Sequence, residues 1–180
     1  MPSIISHAIA AGAIGVAFDR RAVPRRAIAA GVVLAMLPDA DVIGMTLGVP
    51  YGSALGHRGL SHSLAFAVVS AAIATIALTR HGERRGPVFL YLVLAAASHG
   101  LLDALTNGGF GVALFAPFND ARLFFPVRPI LVSPIGGRFF TARGLAVLPS
   151  EALWIWLPSA PLASSASAWR SRRQGPSANT

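Results

Sequence analysis

Four histidines and three aspartates carry the chemical potential of this sequence: His7, His57, His62 and His99, with Asp39, Asp41 and Asp103. Imidazole nitrogen and carboxylate oxygen are suited to Zn²⁺ and related divalent ions. In SHGLLDAL, His99 and Asp103 stand at i and i+4, so on a helix both point into one site. His57 and His62, in GHRGLSH, are five apart, and five residues turn a helix by about 140°. The expected arrangement therefore puts His57 in a glycine-flanked loop, Ser61 at a helix cap and His62 in the first turn. Asp39 and Asp41, in LPDADV, point the same way in extended chain, which suits one metal ligand and one general base or second ligand. Seven candidates exceed the needs of one tetrahedral ion and fit two or three ions with bridging carboxylates.

The elements that must position these groups are apolar. The chain has 180 residues, 54% hydrophobic and 12% charged, where a soluble domain carries about twice that charged fraction. Five apolar segments can be read: 4–18, 27–37, 64–78, 88–102, and one beginning near Leu148. The fold expected is all-α, an integral membrane helical bundle with about 4–5 transmembrane helices and a long outer loop over 106–143. One membrane-embedded domain, 1–169, is followed by a basic, disordered tail, 170–180. Several runs are short of the roughly 20 residues a span needs, so their polar neighbours must also lie at membrane depth, facing protein or a water-filled cavity.

There are no cysteines, which excludes disulfides and thiolate metal sites. The net charge of +8 comes from 15 basic residues, all arginine. They sit in short clusters between apolar runs, the pattern of topology determinants rather than a nucleic-acid face. If all five segments cross, ten arginines, at 20, 21, 25, 26, 80, 84, 85, 170, 172 and 173, fall on one side. That side should be cytoplasmic, with the N-terminus outside and the C-terminus inside. His7, Asp39, Asp41, His57, His62, His99 and Asp103 then converge on the outer face.

Each residue has a bland alternative. His7 can be a packing residue, His99 and Asp103 a hydrogen-bonded couple, Asp39 a turn or cap, and His57 with Arg58 headgroup anchors. Ionisable groups at membrane depth are costly and tend to be functional, so the joint convergence favours a metal site. In the outer loop, Arg122 and Arg128 among Phe118, Phe124, Phe125 and Phe139 suggest an interfacial lid able to hold phosphate. Glu151 is a further ligand or a helix cap, and Trp154 and Trp156 read as interfacial belt residues.

The ordered set SHAIAA, LPDADVIG, GHRGLSHSLAF, SHGLLDALTNGG, FAPFNDARLFFPVRPI and SEALWIWLP resembles the YdjM-like family, described as inner-membrane-associated, metal-dependent hydrolases. That family is in turn distantly similar to zinc-dependent phospholipase C and zinc single-strand nucleases. The resemblance, covering most of 1–158, implies a bacterial inner-membrane location and His7, Asp39, His57, His62, His99 and Asp103 as metal ligands. The implied activity is hydrolysis of a phosphate ester or phosphodiester of a lipid or another envelope-associated molecule, with no nucleic acid as partner. Asp39 or Asp41 would be the base, and Arg58 or Arg122 would steady developing negative charge. The rival is a non-enzymatic membrane protein such as a divalent-metal transporter or sensor, which needs ligands near the midplane and a path to both faces. A metal-free polar bundle end is the third reading.

Overall fold

The computed structural model of the chain describes residues 1–162; the end of the expected fifth segment and the basic tail, with Arg170, Arg172 and Arg173, lie outside the described residues. The first helix, α1, spans Ile4–Ala17, and α2, Arg25–Met36, starts directly after Pro24. A 3₁₀ turn, Leu37–Asp41, carries α2 into the short α3, Val42–Thr46, so the apolar helical stretch runs unbroken over Arg25–Thr46. A loop and a second 3₁₀ turn, Leu60–His62, precede α4, Leu64–Leu78, and α5 spans Arg85–Ala104. Two short helices, α6 (Ala142–Leu145) and α7 (Leu148–Glu151), lead into a π-helical turn, Ala152–Trp156, and helix continues over 157–162.

Among the described residues the regular structure is helical throughout, and the long segment after α5 contributes isolated bridges, Thr106 to Ile130 and Val112 to Leu123, and a 3₁₀ turn, Gly136–Phe140. Two stretches, of 22 and 20 residues, are long and apolar enough to cross a membrane: Arg25–Thr46 and Arg85–Ala104. The first is longer than the 11-residue run visible in the sequence, because Pro38 sits at the start of a 3₁₀ turn and does not end the helix. With 14 and 15 residues, α1 and α4 fall short of a full span.

The bundle is packed inside out relative to a soluble protein. Helix α5 is central and touches α1, α2 and α4. The faces turned inward carry small residues: Ala11 and Gly15 on α1, Ala27, Gly31 and Ala35 on α2, Ala67 and Ala71 on α4. Large apolar side chains point outward instead, among them Val33, Val69, Ile73, Ile76, Leu90 and Leu94. In water this would sacrifice the hydrophobic effect; in lipid, where tails are as apolar as leucine, close backbone approach through small residues holds helices together. Tyr91 fills the centre, its hydroxyl donating to the carbonyls of Ile28 (3.1 Å) and Ala11 (3.3 Å). Its ring lies over Gly31, where a Cβ would fall well inside contact distance.

Glu151 is fully buried and caps a helix, although not its own. Its carboxylate accepts from the Ser3 amide at 2.7 Å and from the hydroxyls of Ser3 and Ser6, at the positive end of α1. Trp156 faces this network, donating from Nε1 to Ser6 Oγ at 2.8 Å, so only Trp154 of the two expected belt residues is exposed.

Gly31→Ala should force Tyr91 out of its seat and cost about 1–3 kcal/mol, as overpacking typically does. Thermal unfolding in detergent checks this, with Gly12→Ala, where a Cβ meets nothing within 4 Å, as the unchanged control.

Candidate metal centre

Each histidine and aspartate singled out in the sequence reaches one end of this bundle. His7 lies in the first turns of α1, Asp39 and Asp41 on the 3₁₀ turn after α2, His57 and His62 before α4, and His99 and Asp103 in the last turns of α5. His7, His99 and Asp103 form one group with ligand atoms within 4.8 Å of one another; Asp39, His57 and His62 form a second. The two groups adjoin. The His7 ring stacks on His99 with centroids 3.8 Å apart, and His62 stands edge-on to His99 at 4.5 Å.

The donor atoms face one another without bonding. His99 Nε2 lies 3.4 Å from Asp39 Oδ1, His7 Nε2 3.5 Å from Asp103 Oδ1, and His62 Nε2 3.6 Å from Asp103 Oδ2 and 3.8 Å from Asp39 Oδ1. Both oxygens of Asp39 and of Asp103, and Nε2 of His7, His62 and His99, are buried with no hydrogen-bond partner. These separations exceed a charge-assisted hydrogen bond, which closes to about 2.7–2.9 Å. Two ligands each about 2.1 Å from a tetrahedral ion stand about 3.4 Å apart. The donor set therefore fits a divalent cation.

Neighbouring groups fix the rings. His99 Nδ1–H donates to the Ala35 carbonyl at 2.7 Å, leaving Nε2 as the lone-pair nitrogen. That carbonyl lies three residues before Pro38, which has no N–H to offer it. Asp41 accepts from His57 Nδ1 at 2.6 Å and from the Ser61 hydroxyl at 2.7 Å, and its second oxygen lies 3.2 Å from His62 Nδ1. This carboxylate–imidazole pairing is the usual support of a metal-ligating histidine. Two local expectations need correction. Asp39 and Asp41 lie on a 3₁₀ turn, not extended chain: Asp39 faces His99 and His62 Nε2, Asp41 faces His57 and His62 Nδ1, and His62 stands between them. The cap of α4 is Ser63, whose hydroxyl accepts from the Phe66 amide; Ser61 serves Asp41 instead.

Arg58 is fully buried at a left-handed φ of 63°. Its Nε lies 3.1 Å from Asp103 Oδ2, Nη1 donates to the carbonyls of Gly108 and Phe110, and Nη2 donates to Thr106 Oγ1. Both terminal nitrogens are thus committed to protein oxygens, while Nε pairs with Asp103 by charge. Arg122 is likewise committed, to the carbonyls of His57, Gly111 and Ser53. Arg128 stacks on Phe124 at 4.9 Å. Gly100 completes the arrangement, since a Cβ there would press on the His62 carbonyl. That contact, and the Ala35 acceptor, leave no mark in residue types alone.

In the metal-free protein the surroundings of His62 favour its protonated form. Burial alone would lower its pKa, but the Asp39 and Asp41 carboxylates beside it outweigh burial and raise it from 6.5 to about 9.

The family described as "YdjM inner membrane protein" matches residues 1–174. The inner membrane protein YbcI of Escherichia coli (strain K12) is 42% identical over 161 residues, covering 88% of this chain and 92% of that protein. No solved structure matches.

A pH dependence follows from His62. Its raised pKa stabilises the folded, metal-free protein fully below about pH 6.5, and that stability is lost as pH rises through about 9. Thermal unfolding in detergent with chelator should show a midpoint falling over that window, and Asp41→Asn should flatten the fall.

Proposed function

The chain belongs to the YdjM inner membrane protein family, and on that premise we propose that it is a multi-pass, metal-dependent hydrolase of phosphate esters or phosphodiesters. The observation that carries the metal centre is the set of eight buried donor atoms without hydrogen-bond partners on His7, Asp39, His62, His99 and Asp103. Arg58 offsets the charge of Asp103, and the second buried carboxylate calls for a further cation. The N/O donor set, without thiolate, suits zinc, and two adjoining groups suit two ions. His57 belongs to the second group through Asp39 and His62.

A divalent ion held there would supply a Lewis acid and a water of lowered pKa. The protein's own groups do the rest. Asp39, 7% exposed, is the least enclosed of the five residues, so it can meet an entering substrate and accept a proton from water. Asp41 holds the His57 and His62 rings in orientation and keeps their Nε2 atoms free to ligate. Arg58 acts through Asp103, offsetting the charge of a carboxylate buried beside it. The reading of a transporter gains no support at the bundle's other end, where Val23, Ala27 and Val88 are buried and no ligand set receives an ion among the described residues. The orientation with the N-terminus outside puts the centre on the non-cytoplasmic face.

Elemental analysis of the detergent-purified protein should find about two equivalents of zinc or a related ion. His99→Ala and Asp103→Ala should lose it, and Asp41→Asn should weaken binding roughly 10–100-fold. Asp39→Asn should abolish hydrolysis of phosphodiester substrates. Background metal in the parent protein, after reconstitution with zinc, would sink the proposal.

A further inference from the structure

Asp39 is also the floor of a cleft. The cleft, about 300 Å³, lies between the start of α1, Val42 and the loop before α6, and its walls include Ile4, Ile135, Phe139 and Phe140. A second cleft of about 480 Å³ shares the rim Ser133, Pro134 and Ile135 and is lined by Arg138, Thr141 and Arg143. Arg138 and Arg143 are exposed, and no ion pair engages either among the described residues. The rim is anchored: Ser133 is buried and its amide donates to the Met1 carbonyl at 2.9 Å. At the mouth, Ile4 is 46% and Phe140 84% exposed.

We propose that these joined clefts bind one anionic phospholipid, its apolar part against Ile4, Val42, Phe139 and Phe140 and its phosphate-bearing head on Arg138 and Arg143. Three observations converge on that occupant. The wall leading to Asp39 is apolar, which a free phosphate or sugar phosphate would not repay. The adjoining wall offers two guanidinium groups with no ion pair among the described residues, and their fork geometry fits phosphate. Arg58 and Arg122, the arginines nearest the histidines in sequence expectation, direct their N–H groups at protein atoms and leave this role open. The proposal deepens the hydrolase reading by naming its substrate class, because a lipid so held runs past the Asp39 carboxylate.

Binding can be measured without turnover. Full-length, chelator-treated protein in a zwitterionic detergent is titrated with short-chain phosphatidylglycerol, with phosphatidylcholine and inorganic phosphate as comparators, by calorimetry. Phosphatidylglycerol should bind saturably at one site, at least roughly tenfold tighter than either comparator. The Arg138→Gln/Arg143→Gln protein should lose at least that factor while its helical circular dichroism, and its metal content before chelator treatment, stay unchanged. Val42→Trp, which fills the apolar cleft, should weaken the lipid and spare the fold. Equal binding of the two lipids, or an unaffected arginine double variant, would overturn the proposal, as would phosphate binding as tightly as phosphatidylglycerol. Selective binding with no hydrolysis by the metal-loaded protein would support this site and remove the hydrolase reading, so the two fail separately.

Discussion

Two carboxylates, Asp39 and Asp103, lie buried in a bundle whose other contacts are apolar, and the rest of the structure is arranged around that burial. A carboxylate taken from water without compensation loses several kcal/mol even after the protein relaxes. Here three imidazoles and one guanidinium surround the pair, yet no carboxylate oxygen of either residue closes a hydrogen bond. Spacing that is too long for hydrogen bonds also matches the separation of two ligands on one divalent ion, which is what makes these groups a candidate metal site. Everything nearby holds that spacing: the Ala35 carbonyl turns His99, Asp41 turns His57 and His62, and Gly100 lets the His62 turn lie against α5.

The same burial explains the helix lengths. A helix that ends in a polar site needs apolar sequence only up to that site, and α1 and α4 stop at 14 and 15 residues. The loop carrying His57 and Arg58 and the segment after α5 close that end of the bundle. Irregular buried backbone is tolerable only when its polar groups are satisfied. Arg58 and Arg122 do this, donating to the carbonyls of Gly108, Phe110, His57, Gly111 and Ser53. The arginines that read as substrate-binding groups are thus committed to the backbone of the site's own walls.

The helices and the convergence of His7, Asp39, His57, His62, His99 and Asp103 were legible because hydropathy sets where segments begin and alternation of direction sets which ends meet. The α4 segment runs over the same residues in sequence and structure. What sequence could not carry was local geometry. A 3₁₀ turn and an extended strand are equally compatible with LPDADV, and the turn gives Asp39 the His99 ring and Asp41 the His57 ring, with His62 between them. Glu151 read as a ligand or a cap, but which helix it capped depended on a contact 148 residues away. Arginine types alone do not say which guanidinium will be spent on carbonyls, so nothing in the sequence separates Arg138 and Arg143 from Arg122.

Inside-out packing links these levels. Because the inward faces are alanine and glycine, α5 can approach α1, α2 and α4 at once, and that triple contact is what delivers His7, Asp39 and His62 to His99 and Asp103. Larger core residues would separate the helices by the width of a side chain and open the 3.4–3.6 Å ligand spacings beyond any single ion. Outward-facing valine, isoleucine and leucine then have only lipid to meet, which suits a family of inner membrane proteins. The small-residue stripe that lets the helices associate in a membrane is therefore also the condition for a metal centre at their end, and a change that loosens Tyr91 at the bundle's middle acts on both.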